Sequence, residues 1–152
     1  MLEIGSKAPL FSLKNQNGDT VNLSDFDGKK IILFFYPKDD TPGCTREAIG
    51  FSENKLFFDN KNIIILGISK DSVNSHVKFC NKHNLTVNLL SDPEIDVNQQ
   101  YGVWKEKSMY GKTYFGTERS TFVIDESGSI ENIWRKVKVS THIEDVISYF
   151  SK

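Results

Sequence analysis

Two runs of consecutive apolar residues, Ile31–Tyr36 and Ile63–Ile68, constrain this chain more than anything else in it. A strand with one wet face alternates apolar and polar residues. A run with no alternation reads as a strand covered on both faces. Both runs are far short of the ~20 residues needed to span a bilayer. Between them, Cys44 to about Asp59 reads as a helix with Ala48, Phe51 and Phe58 among its contacts. Asp71–Asn84 reads as a second helix, with Val73, Val77 and Cys80 on one stripe. Val87–Ser91 is then a short strand and Glu94–Tyr101 a short helix.

The ends of the chain complete the sheet. Phe11–Leu13 and Val21–Leu23 alternate across Asn15-Gln16-Asn17-Gly18-Asp19, whose Asn-Gly pair marks an N-terminal β-hairpin. Thr121–Asp125, a turn at Glu126–Ser129 and Ile130–Val139 form a late hairpin, with Arg135, Lys136 and Lys138 expected on a solvated strand face. Thr141-His142-Ile143-Glu144 has the form of a capping box opening a last helix that carries Val146, Ile147 and Phe150. The expected fold is α/β: one domain over 1–152, a central mixed sheet with helices on both faces.

Composition narrows the function classes. The 152 residues are 38% hydrophobic and include eleven Phe, enough for a core without disulfide staples. Nineteen basic against twenty acidic residues give a net charge of −1, which argues against nucleic acid or an acidic membrane surface as partner. The N-terminus has no signal-peptide pattern, so a cytoplasmic location is expected. Two cysteines in a reducing compartment point to transient redox chemistry rather than a permanent bridge.

The first apolar run leads directly into Pro37-Lys38-Asp39-Asp40-Thr41-Pro42-Gly43-Cys44. This places Cys44 at a helix start, where free backbone N–H groups favour a thiolate. Position alone achieves little. Lowering a thiol pKa from ~8.5 to ~6 raises the thiolate fraction at pH 7 about thirtyfold, from roughly 3% to roughly 90%. The accompanying loss of nucleophilicity costs about ten- to eighteenfold, leaving a net gain of about two- to threefold.

Further acceleration requires donors that hold the substrate and its transition state. Thr41, three residues before Cys44, can fold its hydroxyl toward the sulfur. Arg119, just ahead of the strand Thr121–Ile124, can bring a guanidinium to the sheet edge. Arg46, on the first turn of the helix, is expected to point away. Glu47 can orient the arginine through a carboxylate pair. The plainer alternatives are a turn residue for Thr41 and a favourable first-turn carboxylate for Glu47.

The pattern Pro37-x-x-x-Thr41-x-x-Cys44 resembles the active-site motif of the peroxiredoxins. The longer stretch Phe35–Ala48 is similar to their bacterioferritin-comigratory, thioredoxin-dependent Q-type branch. The resemblance continues through Gly67–Ser72, Leu89–Pro93, Tyr101–Trp104, Met109–Gly116 and Glu118–Asp125. It implies a thioredoxin-like fold and reduction of hydrogen peroxide and organic hydroperoxides, with no metal or organic cofactor. It also implies that Cys44 is the peroxidatic cysteine, that Thr41 and Arg119 contact peroxide and thiolate, and that Pro37 keeps water out. The thiolate attacks the O–O bond and becomes a sulfenic acid.

Many members of that branch carry a resolving cysteine five residues after the peroxidatic one, where this chain has Ile49. Cys80 is the other candidate, as in members that place this cysteine on the next helix. Disulfide geometry requires Cα atoms roughly 4.4–6.8 Å apart, so both helices are expected to unwind locally before a bridge closes. The alternative for Cys80 is a small apolar core residue, which leaves a one-cysteine peroxidase resolved by an external thiol. Thioredoxin or a similar dithiol is the expected reductant, and a monomer the expected state.

Rival readings from other classes have less support. His76, Cys80 and His83 have the helical spacing of a metal or redox-sensing site, but no fourth ligand is evident. A thioredoxin-like scaffold or chaperone has no need of Thr41, Cys44 and Arg119 together. A general thiol–disulfide oxidoreductase is disfavoured by the absence of a Cys-x-x-Cys pair near Cys44.

Overall fold

The computed structural model describes residues 2–152. Chain order is β1 (Ser12–Lys14), β2 (Thr20–Asn22), a 3₁₀ turn (Leu23–Phe26), β3 (Lys30–Phe35), α1 (Pro42–Glu53), α2 (Lys55–Asn60), β4 (Ile63–Ser69) and α3 (Val73–His83). It continues with β5 (Asn88–Ser91), α4 (Asp96–Gln100), β6 (Trp104–Met109), β7 (Lys112–Thr117), β8 (Ser120–Ile124), β9 (Ile130–Trp134) and α5 (Val139–Phe150). Seven strands form one sheet in the order β2-β1-β5-β4-β3-β8-β9, and β6 pairs with β7 as a separate hairpin. β3, β4 and β5 run parallel, while β1, β8 and β9 pair antiparallel. The sheet is therefore mixed, and its fold is thioredoxin-like.

The unalternating runs have a direct explanation. Ile31, Leu33 and Phe35 enter one core with Tyr101, Phe122 and Ile124. Ile32, Phe34 and Tyr36 enter the other with Cys44, Phe51, Phe58, Phe79, Cys80 and Val146. Period-two geometry sends every second residue to the opposite face, and here both faces are dry. The covering is unequal: α1, α2, α3 and α5 pack on the second core, whereas α4 and the N-terminal segment close the first.

Gly67 in β4 makes room for this packing. A Cβ there would sit 2.6 Å from Phe34 Cζ and 2.9 Å from Leu89 Cδ2. Phe34 in turn stacks on Phe51 with ring centroids 4.7 Å apart. Gly67→Ala is expected to destabilise the fold by about 1–3 kcal/mol through overpacking, read as a lower urea midpoint with unchanged slope.

Several expected elements differ. The helix expected over Cys44–Asp59 breaks at Asn54, because its side-chain amide donates to the Gly50 carbonyl (2.8 Å) and competes with the helical backbone. The strand expected to Val139 stops at Trp134. Arg135, Lys136 and Lys138 lie in a turn rather than on a strand face, since Lys136 is left-handed (φ 49°) and Val137 N–H donates to the Arg119 carbonyl (3.0 Å). The last helix therefore starts at Val139, and Thr141 lies inside its first turn. On α3 the fully buried face is His76 and Phe79 beside Cys80, not Val73 and Val77. Its C-terminus closes on left-handed Asn84 (φ 53°).

Candidate active site

The turn after β3 and the approach to β8 meet because of sheet register. Phe35 pairs with Ser120, so the chain leaving β3 toward Cys44 passes beside Arg119 as it enters β8. Thr41 caps α1 and Pro42 opens it, its fixed φ suited to a first helical turn. The first helical bond runs from Thr45 N–H to the Thr41 carbonyl (2.8 Å). Cys44 thus sits in the first turn, at the positive end of the helix. Its side chain is buried.

Arg119 bridges two groups of α1. Its Nη2 donates to Cys44 Sγ at 3.3 Å and its Nη1 to Glu47 Oε1 at 2.7 Å. Gly43 permits this approach, because a Cβ there would stand 3.2 Å from Arg119 Nη2. Glu47 is fully buried, and its Oε2 has no hydrogen-bond partner among the described residues. Burial pushes the Glu47 carboxyl up to about 7, against the opposing pull of Arg119. Behind it, His142 Nε2 lies 4.0 Å from Oε2 but pairs with Thr121 Oγ1 at 2.7 Å. Burial pulls His142 down to about 4, so the ring is neutral at physiological pH.

The structure brings Cys44, Glu47 and Arg119 together, and Arg46 is exposed. Thr41 differs. Its hydroxyl donates to the Lys38 carbonyl (2.8 Å) and makes no hydrogen bond to Cys44 Sγ. The carbonyl lies three residues back along the same turn and offers a stronger acceptor than sulfur. Pro37 sits half-buried at the bend that leaves β3.

Cys80 lies on α3 in the same apolar layer as Cys44, and both are free thiols. Burial, aided by the charge of Asp39, pushes Cys80 up to about 11. The His76–Cys80–His83 trio does not converge. His76 is bound through Nδ1 to Asp39 Oδ2 (2.7 Å) and through Nε2 to the Leu90 carbonyl (3.1 Å), while His83 Nε2 meets Asp40 (2.8 Å).

Lys107 escaped the sequence reading. It projects from β6 and donates to the Thr117 carbonyl. Burial, and then the positive charge of Arg119, pull its ammonium down, while the Cys44 charge pulls it up. It therefore adds a second cation to the neighbourhood of the sulfur. Its only sequence signal is membership of Met109–Gly116's flank, because the β6–β7 hairpin lacks the strong alternation that would reveal an inward lysine.

Comparison with known proteins decides the family: the AhpC/TSA family matches residues 4–133. The chain belongs to the AhpC/TSA family. Peroxiredoxin Bcp of Bacillus subtilis is 49% identical over 146 residues, covering 96% of this chain and 93% of that protein. Peroxiredoxin Bcp of Escherichia coli is 42% identical over 151 residues, covering 99% and 97%. Among solved structures, a cysteine-to-serine mutant of Xylella fastidiosa PrxQ superimposes with a TM-score of 0.94 at 36% identity, covering 99% of this chain and 96% of that one. This AhpC/TSA member is thus a peroxiredoxin of the Bcp/Q type, a peroxidase among oxidoreductases, and its cysteine-bearing helix start is the place to seek the chemistry.

Proposed function

We propose that the chain reduces hydrogen peroxide and organic hydroperoxides through Cys44, is resolved by Cys80, and is recycled by thioredoxin or a similar dithiol. The observation that carries this reading is the Arg119 bridge, which fixes a permanent cation and a donor 3.3 Å from a helix-start sulfur. A structure of the bacterioferritin-comigratory protein of Xanthomonas campestris is described by its alkyl peroxide reduction activity, which supports organic hydroperoxides as substrates here.

In the first step the thiolate attacks one peroxide oxygen. The S–O bond forms as the O–O bond breaks, and the leaving alkoxide takes a proton: Cys44–S⁻ + ROOH + H⁺ gives Cys44–SOH + ROH. Arg119 serves as donor to sulfur and peroxide, and Glu47 holds its guanidinium in place. Pro37 limits water at the mouth. Thr41 reaches the peroxide by rotating its hydroxyl away from Lys38, a turn about one single bond.

In the second step the Cys80 thiol displaces hydroxide from the sulfenic acid, and water leaves as the disulfide forms. Inside the folded helix Cys80 is buried and held protonated, a poor nucleophile. Unwinding of α3 and of the first turn of α1 exposes it and brings the sulfurs together. Two Xanthomonas campestris Peroxiredoxin Q structures are serine mutants of two cysteines thirty-six positions apart, the same separation as Cys44 and Cys80. The protein acts as a cytoplasmic monomer.

Cys80→Ser tests the cycle. Thioredoxin-driven turnover is expected to fall at least about tenfold, while peroxide still converts Cys44 to a trappable sulfenic acid. In the unmodified protein, mass spectrometry after one equivalent of peroxide is expected to find a Cys44–Cys80 bridge. Unchanged turnover in the variant would instead assign resolution to an external thiol.

A further inference from the structure

We propose that Glu47 and Cys44 share one exchangeable proton across Arg119: Glu47 holds it while Cys44 is a thiolate and releases it when Cys44 is oxidised. The inference rests on the peroxidase reading above and adds a proton-holding role to a residue so far assigned only to orientation.

The geometry presents one cation to two acids. Arg119 donates through Nη2 to Cys44 and through Nη1 to Glu47, and Glu47 is fully buried. With one acid ionised, this triad is neutral; with both ionised, it carries a net negative charge on two buried acids. Two buried acids here compete for the charge of one half-buried cation.

The surroundings of Glu47 favour its neutral form whenever sulfur holds the charge. Oε2 receives no hydrogen bond among the described residues, so ionisation would leave a bare carboxylate oxygen in the interior. From α5, His142 faces it uncharged, its Nε2 already occupied by Thr121. Asp145, on the same helix, adds a negative charge near His142. From β6, Lys107 acts on Arg119 and Cys44, and Glu118 lies beside that lysine. Among the described residues, Arg119 is therefore the one cation paired with Glu47.

Oxidation removes the sulfur's charge and leaves Arg119 with a single acid partner. The balanced step is Glu47–COOH + Cys44–S⁻ + ROOH → Glu47–COO⁻ + Cys44–SOH + ROH. Sulfur loses two electrons to the peroxide, whose O–O bond breaks. The proton lost by Glu47 matches the one gained by the alkoxide. The site as a whole then draws no proton from solution during its fast step.

Proton counting distinguishes this from a purely orienting carboxylate. Unmodified protein and Glu47→Gln, which retains an acceptor for Arg119 Nη1, would be mixed with hydrogen peroxide in weak buffer at slightly alkaline pH with an indicator dye. Expected uptake is well below one proton per Cys44 oxidised in the unmodified protein and near one in the variant. Equal uptake by both would overturn the sharing. Infrared difference spectra of the unmodified protein give a second reading that needs no variant. Loss of a protonated-carboxyl band on oxidation supports the proposal, and its absence refutes it. The same traces give the oxidation rate: fast oxidation with equal proton counts removes the sharing alone, whereas oxidation no faster than free cysteine removes the peroxidase reading with it.

Discussion

Replacing Arg119 with methionine is expected to slow the oxidation of Cys44 by about two to three orders of magnitude, the cost of deleting a preorganised donor from a buried reaction centre. The thiolate population cannot account for a loss of that size. Even a 2.5-unit change in thiol pKa alters the rate only about two- to threefold once reduced nucleophilicity is counted. The remainder must come from hydrogen bonds formed as charge moves from sulfur to the leaving oxygen. Lysine is expected to restore little of it, because an ammonium is a point charge and cannot donate through a rigid fork to Cys44 and Glu47 together. The fold should survive, since burial pushes Glu47 up and holds it neutral once its cation is removed. Stopped-flow measurement of the first oxidation, with thermal melts as control, checks both halves. A loss of only about threefold would reduce Arg119 to a thiolate stabiliser.

The parts of this site legible in the sequence are those dictated by backbone periodicity. Unalternating Ile31–Tyr36 announced a strand dry on both faces, and a Pro/Gly turn after it could only deliver Cys44 to a helix start. Arg119 was legible because it stands one residue ahead of an apolar strand, and antiparallel register then brings it beside the end of β3. Side-chain rotor choices were not legible. Sequence spacing does not say where the Thr41 hydroxyl turns, and in the folded chain it goes to the Lys38 carbonyl. The break at Asn54 depends on one amide finding the Gly50 carbonyl, and asparagine mid-helix gives no warning of which way it will turn. His76 enters the sequence reading only as a candidate metal ligand, because an imidazole is placed inside only by partners distant in sequence. Those partners are Asp39 and the Leu90 carbonyl.

That last group carries the largest expected effect on stability. Asp39 is buried and accepts from Tyr36 OH (2.6 Å), Ser75 OH (2.8 Å) and His76 Nδ1 (2.7 Å). His76 Nε2 must donate to the Leu90 carbonyl, which can only accept. Burial, and then the nearby Asp39 charge, keep the Tyr36 hydroxyl protonated and hence a donor. Asp39→Ala removes the common partner of Tyr36, Ser75 and His76 and is expected to cost about 3–5 kcal/mol, the range for removing one side of a buried histidine–carboxylate pair. Asp39→Asn keeps one acceptor oxygen and should cost about 1–3 kcal/mol. Urea midpoints at unchanged slope measure both. Asp40→Asn, which disturbs exposed pairs to Lys82 and His83, should leave the midpoint nearly unmoved. Stability is not the only consequence, because Asp39 belongs to the turn that delivers Cys44 and His76 to the helix that carries Cys80. Loosening their contact lowers the cost of unwinding both segments. In Asp39→Asn, the sulfenic acid should therefore close to the Cys44–Cys80 disulfide faster than in the unmodified protein, even though the folded state is weaker. Closure no faster than in the unmodified protein would mean that the two cysteine segments open independently of this buried network.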